Sequence, residues 1–218
     1  LTVKGVEGAG RFVDIIVGEQ FKPEFLKINP KALVPVIIHD GKKVRESTII
    51  NEYVNQVFPG RDLVPADPYA RAQMLSWTML VDEALHPACA VITYALFHRH
   101  RVLALSPEEQ RKFLDAAPDP AWREKKRSWI VNGIKSPDVK DALELYDKTL
   151  GDMEAALAGQ PWLAGGAYSL ADIALTPYVN RLDMLGMDGL WTKGKRPRLA
   201  DWFARIRAES NFKPAVLD

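Results

Sequence analysis

Residues 29–54 read NPKALVPVIIHDGKKVRESTIINEYV, and this stretch decides most about the fold. An apolar run interrupted by Pro35 leads to an Asp-Gly turn and a second short extended segment, which is the pattern of a β-hairpin. Because proline cannot donate to a strand ladder, Pro35 belongs at an edge or a bend. Ser47 then opens an apolar helical pattern. The stretch leaves backbone groups free beside Val34 and polar groups beside Ser47, which together make a compact site for a small peptide-like ligand.

Two local patterns in this stretch each have two interpretations. Glu46-Ser47 is either a helix cap or a ligand site, in which Ser47 and its helix N-terminus hold a carboxylate and Glu46 faces an ammonium group. The two interpretations compete because they use the same N–H groups. Val34-Pro35 is either the start of an edge strand or a cis-proline turn that presents the Val34 N–H and C=O to a peptide backbone.

The composition is that of an ordinary globular protein. Of the 218 residues, 47% are hydrophobic and 26% are charged. The net charge is +1, so we expect no nucleic acid and no membrane as a partner. No unbroken apolar run approaches the roughly 20 residues of a membrane helix. Cys89 is the single cysteine, which excludes an internal disulfide and suits a reducing cytosol. His98 and His100 diverge on a helix, so we expect no metal site.

The residue pattern divides the chain into a small α/β part and a larger helical part. Residues 12–17 are β-branched and apolar between two glycines, which predicts a strand. Apolar positions in residues 138–157 recur at spacings of three and four, which predicts one buried helical stripe. Residues 1–5 resemble the last turn of a helix ended by glycine, so we expect a further N-terminal piece upstream. The expected domains are residues 1–60, a linker at 61–67, and an all-helical domain at 68–218.

A helix N-terminus is predicted at residues 168–173, YSLADI. The Ser169 hydroxyl and the Asp172 carboxylate can each bond the other residue's N–H, which is a capping box. The alternative, a catalytic Asp172, has no base or nucleophile beside it in the sequence. We therefore interpret Asp172 as structural.

Three further polar features have a structural and a functional interpretation. His86, before a proline expected to kink its helix, is either a packed or surface residue or a catalytic base. Cys89 is expected to be a buried, inert thiol. Residues 124–127, EKKR, predict a solvated helix face and no nucleic-acid patch.

Three motifs in order resemble the cytosolic glutathione transferases over nearly the whole chain. Residues 25–53 resemble the NP…VP…ES stretch of that family, residues 165–175 (GGAYSLADIAL) its capping motif, and residues 196–213 its C-terminal helix. The resemblance implies the glutathione transferase fold, an α/β thioredoxin-like N-terminal domain followed by an all-α C-terminal domain. The first strand of that fold would precede Leu1.

Further residues resemble the bacterial and fungal branch that includes the β-etherase-like transferases. They are Pro118-Asp119-Pro120, Gly133-Ile134, Ser47-Thr48 and Ala66-Asp67-Pro68.

The resemblance implies a binding role for several residues toward glutathione, the co-substrate of the family. Val34 would pair its backbone with the cysteinyl part, with Pro35 cis. Glu46 and Ser47 would bind the γ-glutamyl end.

The glycine end of glutathione is less fully matched. Lys22 or Gln20 lies in the segment that often reaches the glycine carboxylate. Leu33 departs from the family, which frequently has Lys or Gln at that position.

The implied activity is transfer of the glutathione thiolate to an apolar electrophile or ether by a cytoplasmic homodimer that acts in detoxification. The electrophile would lie between the glutathione surface and the helix near residues 81–94, with His86 as a pocket residue. The catalytic Tyr, Ser or Cys that activates the sulfur is expected upstream of Leu1. The alternatives are a non-catalytic glutathione-binding or assembly module of the same fold, and an unrelated helical binding protein.

Overall fold

A computed structural model describes residues 1–117 and 119–213 of the chain. Pro118, one of the residues used for the branch assignment, lies outside the described residues. The N-terminal part contains 3-10 helices at Thr2–Lys4 and Glu19–Phe21, helix α1 (Pro23–Leu26), strands β1 (Val36–His39) and β2 (Lys42–Arg45), and helix α2 (Ser47–Val57). Gly5 ends the first turn with a φ of 65°, as its position after a helical turn predicts.

Strands β1 and β2 form the predicted antiparallel hairpin. Their register pairs Val36 with Arg45 at one end and His39 with Lys42 at the other. The two turn residues have positive φ values, 49° at Asp40 and 73° at Gly41, which suit the twist of a two-residue hairpin loop.

The strand predicted at residues 12–17 is wrong. This segment forms turns in which Asp14 Oδ1 accepts from the N–H of Ile16 at 2.8 Å and of Val17 at 3.3 Å. Phe12 is 83% exposed. β-branched residues form a strand only where a neighbouring strand pairs with them, and within the described residues β1 and β2 pair only with each other. The carboxylate of Asp14 satisfies the backbone locally instead.

The described residues after α2 are mainly helical. They are α3 (Pro68–Leu80), α4 (His86–Thr93), α5 (Arg99–Leu103), α6 (Pro107–Asp115), α7 (Pro120–Asn132), α8 (Pro137–Ala156), α9 (Leu170–Met184) and α10 (Pro197–Ala208). Two π-helical turns, Val81–Leu85 and Tyr94–His98, join α3, α4 and α5 into one continuous helical stretch. The first π turn directly precedes His86-Pro87, so a wider turn accommodates the proline that the sequence predicts to perturb this helix.

This continuous stretch, Pro68–Leu103, is long and apolar enough to be a candidate membrane-spanning helix, which the sequence did not predict. By length and composition alone it could cross a membrane, with a mean hydropathy of 1.3 in a window that is 39% buried. Charged residues such as Arg71, Asp82 and Glu83 interrupt the stretch, so it holds no unbroken apolar run of membrane-spanning length. Core helices of globular proteins can be equally apolar, and Met74, Val81 and Ile92 of this stretch lie in the core.

The hydrophobic core lies among α3, α4, α8, α9 and α10. The stripe predicted on α8 is buried at Val139, Tyr146, Leu150 and Met153, each no more than 1% exposed. The N-terminal part is joined to this core at the start of α9, where the Leu170 N–H donates to the Leu63 carbonyl at 2.9 Å.

Asp172 forms the predicted capping box and two further bonds. Its carboxylate accepts from the Ser169 N–H at 2.9 Å and from the Ser169 hydroxyl at 3.1 Å. It also accepts from the Leu163 N–H at 3.0 Å and the Trp202 indole N–H at 2.8 Å. Asp172 therefore ties the start of α9 to a preceding loop and to α10, which supports the structural interpretation.

The prediction that residues 124–127 form a solvated face is wrong for Lys126. This residue is 6% exposed, and its ammonium donates to the Phe113 carbonyl at 2.6 Å and lies 3.9 Å from the centre of the Phe113 ring. Burial lowers the pKa of Lys126 from 10.5 to about 8. Rings of Phe113 on α6 and Trp122 on α7 lie near the lysine ammonium, a tertiary effect that a run of four charged residues in the sequence does not reveal.

Candidate functional site

A buried asparagine shapes the loop that presents Val34. Asn29 is 1% exposed, and its side chain donates to the Leu33 carbonyl at 2.8 Å and accepts from the Lys31 N–H at 3.2 Å. The Val34-Pro35 peptide that follows is cis, as the resemblance implies. Val34 is exposed, and within residues 1–117 and 119–213 its backbone N–H and C=O have no hydrogen-bond partner. The loop therefore offers one donor and one acceptor to an extended peptide.

The hairpin register brings this loop close to the start of α2. Val36 and Arg45 are the last pair of the ladder at that end, so Val34 lies two residues before the pair and Ser47 two residues after it. Neighbouring strands are about 5 Å apart. Backbone groups of Val34 and the helix N-terminus at Ser47 thus lie at the same end of one hairpin, as a compact site requires.

The start of α2 is open, which favours the ligand interpretation of Glu46-Ser47 over the helix-cap interpretation. Glu46 occupies the cap position with a φ of 63°, but its side chain makes no capping hydrogen bond. Its Oε1 atom instead accepts from the Lys31 ammonium at 2.8 Å. In the part of the chain that the structure describes, the first three N–H groups of α2, at residues 47–49, have no acceptor. These N–H groups and the positive end of the helix dipole can receive a carboxylate.

Among the described residues, Lys22 makes no hydrogen bond to Val34, to Glu46 or to the N-terminus of α2. Its ammonium donates to Glu19 Oε1 at 3.0 Å, in an exposed pair before α1. Gln20, the alternative to Lys22, donates from Nε2 to the Ile15 carbonyl at 3.4 Å. Either side chain has to leave its present acceptor or donate a further hydrogen to reach a ligand.

A hydrogen bond connects α2 to the long helical stretch. Thr48 donates from its hydroxyl to Asp82 Oδ1 at 2.9 Å, and Asp82 belongs to the π turn at Val81–Leu85. His86 follows Asp82 by about one helical turn, so both residues lie toward the same side of the helix. The bond therefore links the start of α2 to the helical turn that precedes His86.

His86 is exposed and is held by a tyrosine from α9. Its Nδ1 atom lies 3.1 Å from the Tyr178 hydroxyl, and the two rings are nearly perpendicular, at 87°. Burial is the main cause that raises the pKa of Tyr178, with smaller contributions from Cys89 and Asp82. Tyr178 consequently stays neutral at physiological pH and keeps its hydroxyl proton. Cys89 itself is half-buried, less than the sequence predicts.

Three residues near the predicted site were missed from the sequence. Lys31, Asp82 and Tyr178 make their contacts across 15, 34 and 92 positions of the chain, respectively. Only Asp82 has a local signal, because it precedes His86 by one helical turn. Within the described residues no group of three His, Cys, Asp or Glu side chains is placed to hold a metal ion.

Comparisons with known proteins identify the family. Residues 1–56 match the glutathione S-transferase N-terminal domain, and residues 119–205 match its C-terminal domain. Protein LigF from Sphingobium sp. (strain NBRC 103272 / SYK-6) is 35% identical over 218 residues, which cover 98% of this chain and 83% of LigF. A tetrachloro-p-hydroquinone reductive dehalogenase from Sphingobium chlorophenolicum is 28% identical over 225 residues, covering 97% of this chain and 86% of that protein.

A solved structure agrees with the sequence relatives. The crystal structure of the β-etherase LigF from Sphingobium sp. strain SYK-6 matches with a TM-score of 0.85 and 34% identity, over 97% of this chain and 89% of that one. The glutathione transferase fold, with its thioredoxin-like part and its helical part, is therefore confirmed, and so is the similarity to the β-etherase-like branch. The chain belongs to the glutathione S-transferase family, and it is an enzyme that uses glutathione as its co-substrate.

Proposed function

We propose that this transferase holds glutathione across Val34, Pro35, Glu46 and Ser47 and transfers its thiolate to an apolar electrophile beside His86. Ethers are the first electrophile class to test, because a similar solved protein is a β-etherase. The observation that carries the proposal is the joint placement of two open backbone sites at one end of the hairpin. These are the unpaired Val34 peptide groups and the uncapped N-terminus of α2.

Each part of glutathione has a chemical counterpart in this arrangement. The cysteinyl residue can pair with the N–H and C=O of Val34 as an added strand does. The γ-glutamyl carboxylate can accept from the N–H groups and hydroxyl at Ser47, and its ammonium can donate to Glu46. For Lys22 to bind the glycine carboxylate, its ammonium has to leave Glu19 or donate a second hydrogen to the ligand.

The transfer itself is a substitution at carbon. The glutathione thiolate forms a carbon–sulfur bond while the bond between that carbon and the leaving group breaks, and the leaving group departs with the electron pair. Free thiols have a pKa of about 8.5, so the site has to favour the thiolate at neutral pH. A departing ether oxygen needs a hydrogen-bond donor, and the Tyr178 hydroxyl beside His86 is suited to that role.

Glutathione titration of the wild type and two variants tests the binding site. We expect the wild type to gain about 2.7 kcal/mol of stability at 100 times the dissociation constant. Glu46→Gln and Ser47→Ala should each weaken binding about tenfold, since a hydrogen bond to a charged group contributes roughly 1.5 kcal/mol or more. Glu108→Gln and Ser76→Ala, which alter exposed positions outside the site, are the matched controls. Unchanged glutathione affinity in both site variants would refute the assignment of Glu46 and Ser47 to the binding site.

Turnover of an aryl halide and of a model aryl ether then tests the transfer. We expect conjugates with glutathione and release of a phenol from the ether. Glutathione binding with no turnover of either substrate would instead favour a non-catalytic binding module.

We propose a homodimer formed through an exposed apolar face. Ile49 on α2 and Leu75 and Met79 on α3 are large apolar side chains left 46–56% exposed. Asp82, in the turn that follows α3, accepts from Thr48, the neighbour of Ile49, so the start of α2 lies near the end of α3. We propose that these side chains form one contact surface.

The remaining proposals concern organisation and setting. We propose the domain division into residues 1–60, a linker at 61–67, and residues 68–218. The single cysteine supports a reducing, cytoplasmic setting, where conjugation of apolar electrophiles would serve detoxification.

A further inference from the structure

An ion pair stands where the γ-glutamyl end of glutathione is proposed to bind. The Lys31 ammonium lies 2.8 Å from Glu46 Oε1, and the two side chains are 67% and 49% exposed. An exposed pair of this kind contributes little to folding stability, because water screens it and both side chains lose rotamer freedom.

The position of Lys31 is nevertheless fixed by the fold. Its backbone N–H donates to the buried side chain of Asn29 at 3.2 Å, in the same loop that presents Val34. The backbone of Lys31 is thus held in place, and its ammonium contacts Glu46 beside the open N-terminus of α2.

The chemistry of the ligand explains why a positive charge belongs beside Glu46. The γ-glutamyl end carries an ammonium and a carboxylate on the same carbon. Glu46 alone would attract the ammonium and repel the neighbouring carboxylate. A cation within bonding distance of Glu46 offsets that repulsion, and the pair together is complementary to a zwitterion.

We propose that Lys31 is a further glutathione-binding residue, which donates to the γ-glutamyl carboxylate while Glu46 accepts from the γ-glutamyl ammonium. On binding, the ion pair of the free protein exchanges its partners for those of the ligand. This inference rests on the proposed function. It assigns to Lys31 a contact with the γ-glutamyl carboxylate that the family pattern does not include.

Calorimetric titration of Lys31→Met with two ligands tests this contact. The ligands are glutathione and 4-aminobutanoyl-cysteinylglycine, which keeps the ammonium and lacks only the γ-glutamyl carboxylate. Lys31→Met should weaken glutathione about fivefold, the factor that one unit charge about 4 Å away produces in water. The difference should shrink at high ionic strength. Affinity for the analogue should be the same in the wild type and the variant.

Two control variants separate charge from packing. Lys31→Arg keeps the charge and should bind glutathione within twofold of the wild type. Lys148→Met removes a comparably exposed lysine from an ion pair on α8 and should change nothing. The unfolding temperatures of all variants should agree closely, since the exposed pair contributes little to stability.

The possible outcomes distinguish this inference from the proposed function. If Lys31→Met binds glutathione as well as the wild type does, or more tightly, Lys31 only competes for Glu46 and the inference fails. Equal weakening of both ligands also overturns it, because the γ-glutamyl carboxylate is then not the group contacted. A wild type that binds neither ligand refutes the proposed glutathione site itself.

Discussion

Replacing Asp172 by alanine should destabilise the protein far more than removal of an ordinary helix cap. The carboxylate is fully buried and accepts four hydrogen bonds, from the Leu163 N–H, the Ser169 N–H and hydroxyl, and the Trp202 indole. Loss of a cap alone costs about 1 kcal/mol. Alanine also leaves three buried N–H groups without an acceptor, and each costs roughly 1–3 kcal/mol.

Some of this cost is recovered, because the variant no longer buries a carboxylate. Burial raises the pKa of Asp172 against the lowering effect of its four hydrogen bonds, which shows that desolvation of the charged form is unfavourable. With each of the three unsatisfied N–H groups at the low end of its range, about 1 kcal/mol, and the relief taken to offset the lost cap, the net destabilisation is about 3 kcal/mol. In a chain of this length the expected fall in unfolding temperature is about 6–12 °C.

Urea unfolding followed by tryptophan fluorescence and by circular dichroism measures this difference. Ser169→Ala removes only the hydroxyl and should cost about 1 kcal/mol. Asp172→Asn keeps the shape and an accepting oxygen for the indole, so it should fall between the two. Asp201→Ala, an exposed acid on α10, should cost less than about 0.5 kcal/mol. A cost below about 1 kcal/mol for Asp172→Ala, with an unchanged denaturant slope, would refute the idea that this carboxylate joins α9 to α10.

Three further predictions concern stability, assembly and the electrophile. Because the pKa of Lys126 is lowered to about 8 in the folded state, the unfolded chain binds one more proton between about pH 8 and 10.5, so this residue should raise stability with pH in that window. Lys126→Met should remove a slope of up to about 1.4 kcal/mol per pH unit in urea unfolding, and parallel profiles would contradict the assignment. Met79→Lys should shift the proposed dimer to a monomer in light scattering, whereas Met184→Lys, equally exposed on α9, should not; a variant that stays dimeric excludes the Met79 face. Tyr178→Phe should lower kcat for an ether substrate at least about fivefold and leave glutathione affinity unchanged, since it removes the proposed donor to the departing oxygen; an unchanged kcat would argue against that role.

The parts of the fold that the sequence predicts correctly are those that local chemistry determines. The Asp40-Gly41 hairpin, the capping box at Ser169 and the stripe on α8 all depend on residues within a few positions of one another. Residues 12–17 have strand propensity, yet strand formation depends on a distant neighbour, and here Asp14 bonds the backbone locally. Propensity alone therefore misassigned that segment.

The candidate site shows the same limit at the level of side chains. The sequence indicates Glu46 and Ser47 from a helix start, but it leaves open whether they cap the helix or bind a ligand. The contact that turns the Glu46 side chain away from a capping bond is made by Lys31, 15 residues earlier, in a loop shaped by buried Asn29. Similarly, the charged sequence at residues 124–127 does not reveal that Lys126 packs on the ring of Phe113 from α6.

The hydrogen bond between Thr48 and Asp82 is expected to matter more for function than for stability. Thr48 is adjacent to the proposed glutamyl anchor at Ser47, and its acceptor Asp82 lies about one helical turn before His86. The bond is exposed, so it contributes little to stability. It nevertheless fixes the spacing between the helix that would hold glutathione and the helix that would line the electrophile pocket. Transfer between two bound substrates depends steeply on that spacing, because a fixed relative position replaces a bimolecular encounter. The bond between Thr48 and Asp82 is therefore expected to affect the rate of transfer more than the stability of the fold.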